Sequence, residues 1–280
     1  MLSVITINLN NFEGLKKTMT SVFKQTYQNF EYIIIDGASS DGSVALIKEY
    51  QEKINYWISE KDSGIYQAMN KGIKQANGKF LLFLNSGDTL YHPNILTETA
   101  AKIKDDNANI FYTDVNFVDE KLKFAWIKTY PKTVSDSFFI KSSLCHQTMF
   151  IEKRLFEEIG LYKENYQLSG DWIFSFDAFK KGSVFKKIDE IVLCNFVLNG
   201  FSSDYKLSQK ERGNFLHQCY PQYSEQYRLI IKKKGIFTRI LLKANRLIAN
   251  LSNGPKKKGY LRYINSISTS QPQPQPQPQP

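Results

Sequence analysis

The chain has 280 residues, 42% of them apolar and 14% aromatic, which is enough to bury a core in one large domain or two small ones. Its three scattered cysteines (Cys145, Cys194 and Cys219) exclude a disulfide framework and a cysteine-based metal site, and they favour a reducing compartment. No basic region precedes the first apolar run, and no run approaches the roughly 18 apolar residues of a membrane span, so we expect a cytoplasmic protein.

The formal net charge of +10 lies in one segment near the C-terminus. No acidic residue follows Glu225, and residues 232–262 carry seven lysines and three arginines, so the chain before them is electrically balanced. A basic segment of this kind indicates an acidic surface as its partner and argues against a basic catalytic cleft.

Strands and helices alternate over the first ninety or so residues. Continuous apolar runs predict strands covered on both faces, and apolar residues three and four apart predict helices between them. This alternation indicates an α/β fold with a parallel, right-handed, doubly covered sheet. The predicted strands cover 3–7, 30–35, 56–59 and 80–84, and the predicted helices cover 44–53, a segment around Leu15 and Met19, and a segment from Ile65 to a C-cap at Gly78.

Each of the four predicted strands ends in a polar loop, and these loops carry Asn8, Asp36, Asp62 and Asp88. The carboxyl ends of parallel strands lie at one edge of the sheet, where open α/β folds bind their ligands. Acidic loops repel phosphate unless a divalent cation intervenes, so the pattern predicts a nucleotide bound together with a metal ion. For Asp88 taken alone, a turn residue at a strand end is the alternative.

Two classes of nucleotide-binding protein, the dinucleotide-binding fold and the Walker-loop proteins, are excluded by the absence of their motifs. The loop after the first strand reads Asn-Leu-Asn-Asn-Phe, whereas a dinucleotide fold needs Gly-x-Gly-x-x-Gly for close approach to the pyrophosphate. No Walker loop is present either.

The second half contains a strand around 111–115 and two further polar features. His146 and Gln147 precede another apolar strand, and they either contact donor phosphate or acceptor or are packing residues. Asp171 begins a probable helix, where an acid suits the helix dipole as well as a reaction. Trp172 either forms part of an acceptor platform or packs in the core. Asp114 is equally compatible with a solvated turn and with a contact.

The basic segment contains apolar residues at helical spacing over 236–251, with basic residues on the other side. Such a helix lies well on an anionic bilayer, and packing on the main domain is the alternative. Nucleic acid is not favoured, because the segment lacks interleaved aromatics. We expect a domain over 1–225 (halves 1–110 and 111–225), a basic helical tail over 226–268 and a disordered Gln-Pro spacer over 269–280.

The first ninety residues also resemble a known family. The motifs Ser-Val-Ile-Thr-Ile-Asn-Leu-Asn, Ile-Ile-Asp-Gly-Ala-Ser-Ser-Asp-Gly-Ser, Asp-Ser-Gly-Ile-Tyr-Gln-Ala-Met-Asn-Lys-Gly and Gly-Lys-Phe-Leu-Leu-Phe-Leu-Asn-Ser-Gly-Asp resemble those of family 2 glycosyltransferases, which have the GT-A fold. The resemblance is specific over residues 3–92 and looser to about residue 199. It is closest in character to bacterial polysaccharide enzymes of the colanic-acid type.

The resemblance implies a sugar-nucleotide site at the predicted edge. Asp36 corresponds to the carboxylate that accepts hydrogen bonds from the base, usually uracil, and Asn8 and Leu9 correspond to the loop that touches the nucleoside. Asp62 corresponds to a position beside the nucleotide. Ser86 and Gly87 belong to the same implied donor site.

The resemblance also assigns the catalytic groups. Asp88 corresponds to the acid that coordinates Mn²⁺ or Mg²⁺, but Asn85 and Gly87 stand where further carboxylates are common. A single carboxylate fits a cation that keeps several waters and takes diphosphate oxygens. Asp171 corresponds to the general base.

The resemblance therefore implies a metal-dependent inverting glycosyltransferase that uses a nucleotide-sugar, expected to be UDP-linked, and a saccharide or lipid-linked acceptor. Surface polysaccharide assembly at the inner face of the cytoplasmic membrane is the expected setting, and the oligomeric state stays open. The alternatives are a non-catalytic sugar-nucleotide binder or membrane-associated assembly protein of the same fold and, more distantly, a nucleic-acid-binding protein.

Overall fold

The computed structural model describes residues 1–103, 107–198 and 204–233. The elements up to residue 83 are β1 (Leu2–Asn8), α1 (Phe12–Phe23), β2 (Phe30–Asp36), α2 (Ser43–Glu49), β3 (Tyr56–Ser59), α3 (Ile65–Gln75) and β4 (Phe80–Phe83). The later elements are β5 (Thr89–Leu90), α4 (Ile95–Ile103), β6 (Ile110–Asp119), β7 (Phe124–Lys128), α5 (Asp136–Lys141), β8 (Met149–Glu152), α6 (Arg154–Glu158), α7 (Gly170–Lys180), β9 (Phe185–Val197) and α8 (Tyr205–Cys219). A further helix covers 221–233 of the described residues.

One mixed sheet runs through the molecule in the order β3-β2-β1-β4-β8-β6-β9-β5, with β7 paired to β6. The strands β3, β2, β1 and β4 are mutually parallel, which confirms the predicted α/β class. The apolar residues of β1, β2 and β4 are almost all buried, so these strands are covered on both faces, as the continuous runs predict, whereas β3 at the end of the sheet is only partly buried. The register aligns Asn8 with Asp36 and Asp36 with Ser59, so three polar groups lie in one row at the carboxyl edge.

The second half joins this sheet through an antiparallel strand. β8 is antiparallel to both β4 and β6, so β6 runs in the same direction as β4. β9 is parallel to β6. The carboxyl ends of β6 and β9 therefore lie at the same edge of the sheet as the loops after β1, β2 and β4.

The predicted ends of two helices are wrong. The segment predicted as one helix over 44–53 is α2, which ends at Glu49, followed by a 3₁₀ turn at Gln51–Lys53. α3 ends at Gln75 with Ala76 as its C-cap, so Gly78 is not the cap. A Cβ on Gly78 would lie 2.5 Å from Ser3 Oγ, so glycine is needed there for the close approach of the chain to β1.

Two apolar clusters stabilise the fold. The larger surrounds the sheet, and the smaller joins α5, α7, α8 and the helix over 221–233. Nowhere in the described ranges does a helix combine the length and apolar character that crossing a bilayer requires. The predicted amphipathic helix over 236–251 and the Gln-Pro repeat lie outside the described residues.

Candidate active site

Asp36 ties together the loops after β1, β2 and β3. Its side chain is fully buried, and its Oδ1 accepts hydrogen bonds from Asn8 Nδ2 (2.8 Å) and Ser39 Oγ (2.6 Å). Its Oδ2 accepts from Ser39 N (2.9 Å) and Ser59 Oγ (2.6 Å). These four donors satisfy the carboxylate, so a base N–H that binds Asp36 must replace one of them.

The same three loops meet around Gly37. A Cβ on this residue would lie 3.2 Å from Leu9 Cδ1 and 3.4 Å from Asp62 Oδ2. Leu9 is 62% exposed, whereas the Asp62 side chain is largely buried and forms an ion pair with Lys71 at 2.5 Å. The structure thus brings two of the predicted nucleotide-site residues, Leu9 and Asp62, together around a closely packed glycine, with the Leu9 side chain exposed.

The loop that carries Asp88 is fixed by α1. Thr18 Oγ1 accepts from Gly87 N (2.9 Å) and donates to Asp88 O (2.7 Å), and Asn11 Nδ2 donates to Ser86 O (3.0 Å). Gly87 has a φ of 106°, a left-handed conformation that favours glycine. The conformation of this turn therefore favours the glycine at position 87 over a residue with a side chain.

Asp88 itself is 6% exposed. Gln147 Nε2 donates to its Oδ2 (3.1 Å), and the backbone N–H of Val197 donates to its Oδ1 (3.0 Å). Burial raises the pKa of Asp88 to about 7, because the two hydrogen bonds offset only part of the desolvation. No lysine or arginine of the described part of the chain forms an ion pair with it.

The oxygens near Asp88 suit a hard divalent cation. Asn85 Oδ1, at the start of the same turn, is buried without a hydrogen-bond partner. A buried carboxylate and an unpaired amide oxygen are the ligand types that Mg²⁺ and Mn²⁺ prefer. Within 1–103, 107–198 and 204–233, however, no cluster of three or more His, Cys, Asp or Glu side chains could hold a metal ion alone. The residues fit a cation that takes its remaining ligands from water and diphosphate.

His146 lies behind this site in the core. It is 5% exposed, its ring stacks on Phe83 with centroids 4.6 Å apart, and its Nε2 is 2.7 Å from the Tyr162 hydroxyl. Burial lowers the pKa of His146 to about 4, although the charge of Asp171 acts in the opposite direction. The imidazole is therefore neutral near pH 7 and contributes no positive charge towards phosphate.

Asp171 lies in the first turn of α7 and is only partly buried. Its Oδ1 accepts a hydrogen bond from the Tyr66 hydroxyl (3.0 Å). The segment before β8 interacts with both acids: Gln147 donates a hydrogen bond to Asp88, and the charge of Asp171 acts on His146. Burial raises the pKa of the adjacent Cys145 thiol, and the charges of Asp88 and Asp171 both act in the same direction.

The family is decided by comparison with known proteins. The model of glycosyl transferase family 2 matches residues 3–160 of the chain. The chain belongs to this family. It is 28% identical over 200 residues to the PGL/p-HBAD biosynthesis glycosyltransferase of Mycobacterium bovis, covering 70% of this chain and 76% of the relative. It is 31% identical over 229 residues to an uncharacterized glycosyltransferase of Mycobacterium tuberculosis, covering 78% and 85%.

Two solved structures share the fold of this family 2 glycosyltransferase. S. aureus TarS in complex with UDP-GlcNAc superposes with a TM-score of 0.62 at 18% identity, over 76% of this chain and 65% of that chain. The mannosyltransferase PcManGT from Pyrobaculum calidifontis, in complex with GDP-Man and Mn²⁺, gives a TM-score of 0.58 at 12% identity, over 96% and 85%. At these identities the likeness establishes the GT-A architecture.

Trp172 of the glycosyltransferase does not line the site. Its ring is 2% exposed, stacks on Phe176 with centroids 5.3 Å apart, and donates from Nε1 to the carbonyl oxygens of Phe139 and Ser142 (3.2 Å each). The structure therefore corrects the prediction of an acceptor platform at Trp172 and places this residue in the core. Asp114 is likewise structural, because it forms a buried ion pair with Lys187 at 2.9 Å.

Several groups of the site were not predicted. Ser39 and Tyr66 stand within the motifs that identify the family, so their motif membership was the available signal. The Val197 amide binds Asp88 across a separation of 109 residues, and no sequence signal marks it.

Proposed function

We propose that this glycosyltransferase transfers a sugar from a UDP-linked donor to a saccharide or lipid-linked saccharide, with inversion at the anomeric carbon. The observation that carries the proposal is the interaction of the adjacent residues His146 and Gln147 with the two acids. Gln147 holds Asp88, and the neighbouring His146 lies within the field of Asp171. A donor diphosphate at one acid and an acceptor hydroxyl at the other fit this arrangement.

The donor nucleoside is assigned to the surface formed by Asn8, Leu9, Asp36 and Asp62. The exposed, apolar Leu9 side chain suits the flat face of a base. Asn8 Oδ1 is buried without a hydrogen-bond partner, so it is available to a donor group of the ligand. Ser86 and Gly87, directly before Asp88, are assigned to the same donor site. The UDP-GlcNAc bound by TarS supports a uridine nucleotide, and the GDP-Man bound by PcManGT identifies the competing donor class.

We assign Mn²⁺ or Mg²⁺ to Asp88, with Asn85 Oδ1 as a second oxygen ligand. When bound, the cation would offset the negative charge on the departing diphosphate. In PcManGT, Mn²⁺ accompanies GDP-Man, which supports a metal in this fold. Gln147 and the Val197 amide orient the two carboxylate oxygens of Asp88.

Asp171 is the proposed general base. The acceptor oxygen bonds to the anomeric carbon as the bond from that carbon to the diphosphate oxygen breaks, and the hydroxyl proton passes to the Asp171 carboxylate. One displacement of this kind inverts the configuration. Gln147 supports Asp88 through its hydrogen bond, and the neighbouring His146 is buried and neutral, so its role is packing behind the site.

A role in surface polysaccharide assembly follows from the basic segment. Residues 226–233 pack on the domain as part of the helix over 221–233, so we assign residues 234–268 to an anionic membrane surface, since clustered lysines and arginines bind such surfaces and would bring the enzyme to a lipid-linked acceptor. Removal of residues 234–280 is expected to abolish co-sedimentation with vesicles containing phosphatidylglycerol. Undiminished co-sedimentation would exclude the tail as the anchor.

The deciding experiment measures transfer from a panel of UDP- and GDP-sugars to saccharide and lipid-linked acceptors, with Mn²⁺, Mg²⁺ or EDTA. We expect release of UDP only with metal. The NMR spectrum of the product should show the anomeric configuration opposite to that of the donor sugar. Asp171→Asn is expected to reduce the rate by about 10²–10⁴-fold. Asp177→Asn, on the same helix, is the matched control.

A second function is favoured by one observation. Asn85 and Gly87 leave Asp88 as the only carboxylate of its turn, which is what a non-catalytic sugar-nucleotide binder could also show. Binding of UDP with Mn²⁺, without release of UDP from any donor in the panel, would establish this alternative and exclude the enzyme.

A further inference from the structure

Tyr66 connects the donor half of the molecule to the proposed base. It lies in the first turn of α3, directly after the loop that carries Asp62, whereas Asp171 begins α7 in the second half. The Tyr66 side chain is 3% exposed, and its hydroxyl donates to Asp171 Oδ1 at 3.0 Å across a separation of 105 residues. In the parts of the chain that the structure describes, no second hydrogen bond to this carboxylate is observed.

Gly170 makes this contact possible. A Cβ on Gly170 would lie 2.8 Å from Tyr66 Cζ and 2.9 Å from the two Cε atoms, so any larger residue would displace the ring. α7 also lacks a side-chain cap at Ser169. The backbone N–H groups of Gly170 and Asp171 face the Tyr66 oxygen, so the phenol acts on the start of the helix and on the carboxylate together.

We propose that Tyr66 is a positioning residue that holds the Asp171 carboxylate through Oδ1 and leaves Oδ2 for the acceptor. The proposal rests on the assignment of Asp171 as general base. A neutral donor bound to a carboxylate favours its charged form and fixes its orientation. The position of the Asp171 carboxylate thereby depends on how well the loop that carries Asp62, at the proposed donor site, is ordered.

The protonation states around Asp171 agree with this role. Burial, followed by the charge of Asp171, raises the pKa of Tyr66 well above its usual value, so the phenol remains a donor. The other titratable groups that face Asp171 are Cys145, His146 and Tyr162. Burial keeps these three neutral near pH 7, because it raises the pKa of Cys145 and Tyr162 and lowers that of His146. Removal of the Tyr66 hydroxyl is therefore the substitution that affects the Asp171 carboxylate most directly.

The test compares Tyr66→Phe with Tyr162→Phe in the full-length enzyme. Both remove one hydroxyl from a buried ring, but Tyr162 binds His146 and not Asp171. For Tyr66→Phe we expect kcat to fall about 10- to 100-fold, in line with the loss of a charge-assisted hydrogen bond. The donor KM should change less than threefold, and the acidic limb of the kcat–pH profile should move to higher pH. Tyr162→Phe should leave that limb in place.

A second variant keeps the outcome decisive. Gly170→Ala retains both functional groups but moves the ring, so it should reproduce the shifted pH profile. An unchanged kcat–pH profile in Tyr66→Phe would overturn the proposal, even if stability and rate both fell.

The same assay separates this proposal from the assignment of the base. If Asp171→Asn retains full transfer, the base assignment fails. If Asp171→Asn is inactive while Tyr66→Phe keeps the wild-type pH profile, the base stands and the positioning role of Tyr66 is refuted.

Discussion

Asp36 and Asp88 are both buried carboxylates at the same edge of the sheet, but their surroundings differ. Asp36 accepts four hydrogen bonds from three neighbouring loops, whereas Asp88 accepts two, from Gln147 and the Val197 amide. Burial raises the pKa of Asp88 to about 7. The hydrogen bonds of Asp36 are thus complete within the protein, while no charged side chain of the described residues compensates Asp88, and a cation would provide that charge.

This difference separates a stabilising carboxylate from a functional one. A fully hydrogen-bonded carboxylate holds loops in place and stabilises the fold, whereas a poorly compensated one destabilises the fold until a ligand binds. Functional sites commonly carry such costs. Substitutions at the two positions should therefore change stability in opposite directions.

The largest change in the free energy of unfolding is expected from a substitution in the smaller apolar cluster. Trp172→Ala should reduce the free energy of unfolding by about 3–5 kcal/mol, because it removes a fully packed ring. Chemical denaturation measures this loss. Tyr223→Phe, in the same cluster but removing only a hydroxyl, is the milder comparison. A loss below about 1 kcal/mol would show that the ring is not packed as described.

Asp88→Asn should stabilise the metal-free protein above pH 7. Because the folded-state pKa of Asp88 is raised from 3.8 to about 7, its contribution to stability is present below pH 4 and is lost as pH rises to about 7. The loss is on the order of 4 kcal/mol, and Gln147 can rotate its amide to bind asparagine.

Thermal unfolding from pH 4 to pH 8 measures this effect. The difference in Tm between Asp88→Asn and wild type should grow across that range in EDTA and shrink when Mn²⁺ and UDP are added. Equal Tm differences at pH 4 and pH 8 would contradict the uncompensated charge at Asp88.

Asp36→Asn should destabilise the protein by about 2 kcal/mol, because an amide cannot accept all four hydrogen bonds. The loss should be present at pH 7 whether or not Mn²⁺ is added. Urea denaturation of Asp36→Asn beside Asp88→Asn gives the sharpest comparison, since the two variants make the same chemical change. A gain in stability at Asp36 would remove the distinction between the two carboxylates.

The smallest effect is expected at the surface of the donor platform. Leu9→Ala should raise the donor KM about 2- to 5-fold, from the loss of part of an apolar contact with the base. Its Tm should remain within about 1 °C of wild type, because Leu9 is 62% exposed. Leu229→Ala, another exposed leucine far along the chain, serves as the control. An unchanged KM would place the nucleoside elsewhere.

The sequence alone determined the fold class and the family. The continuous apolar runs became β1, β2, β3 and β4 with nearly the predicted limits, and β3 begins and ends as predicted. The order of the polar loops then placed Asn8 and Asp36 at one edge, because strand direction fixes which ends meet. These features can be predicted because strands, helices and loops are specified by patterns among residues that are close in sequence.

Only the tertiary structure decided which side chains serve the site. Helical spacing placed Trp172 on a face of α7 but did not show that this face packs against α5 and α8. The hydrogen bonds from Gln147 to Asp88 and from Tyr66 to Asp171 span 59 and 105 residues. The physical reason is that periodicity sets the direction of a side chain within its own element, whereas its partners depend on how distant elements pack.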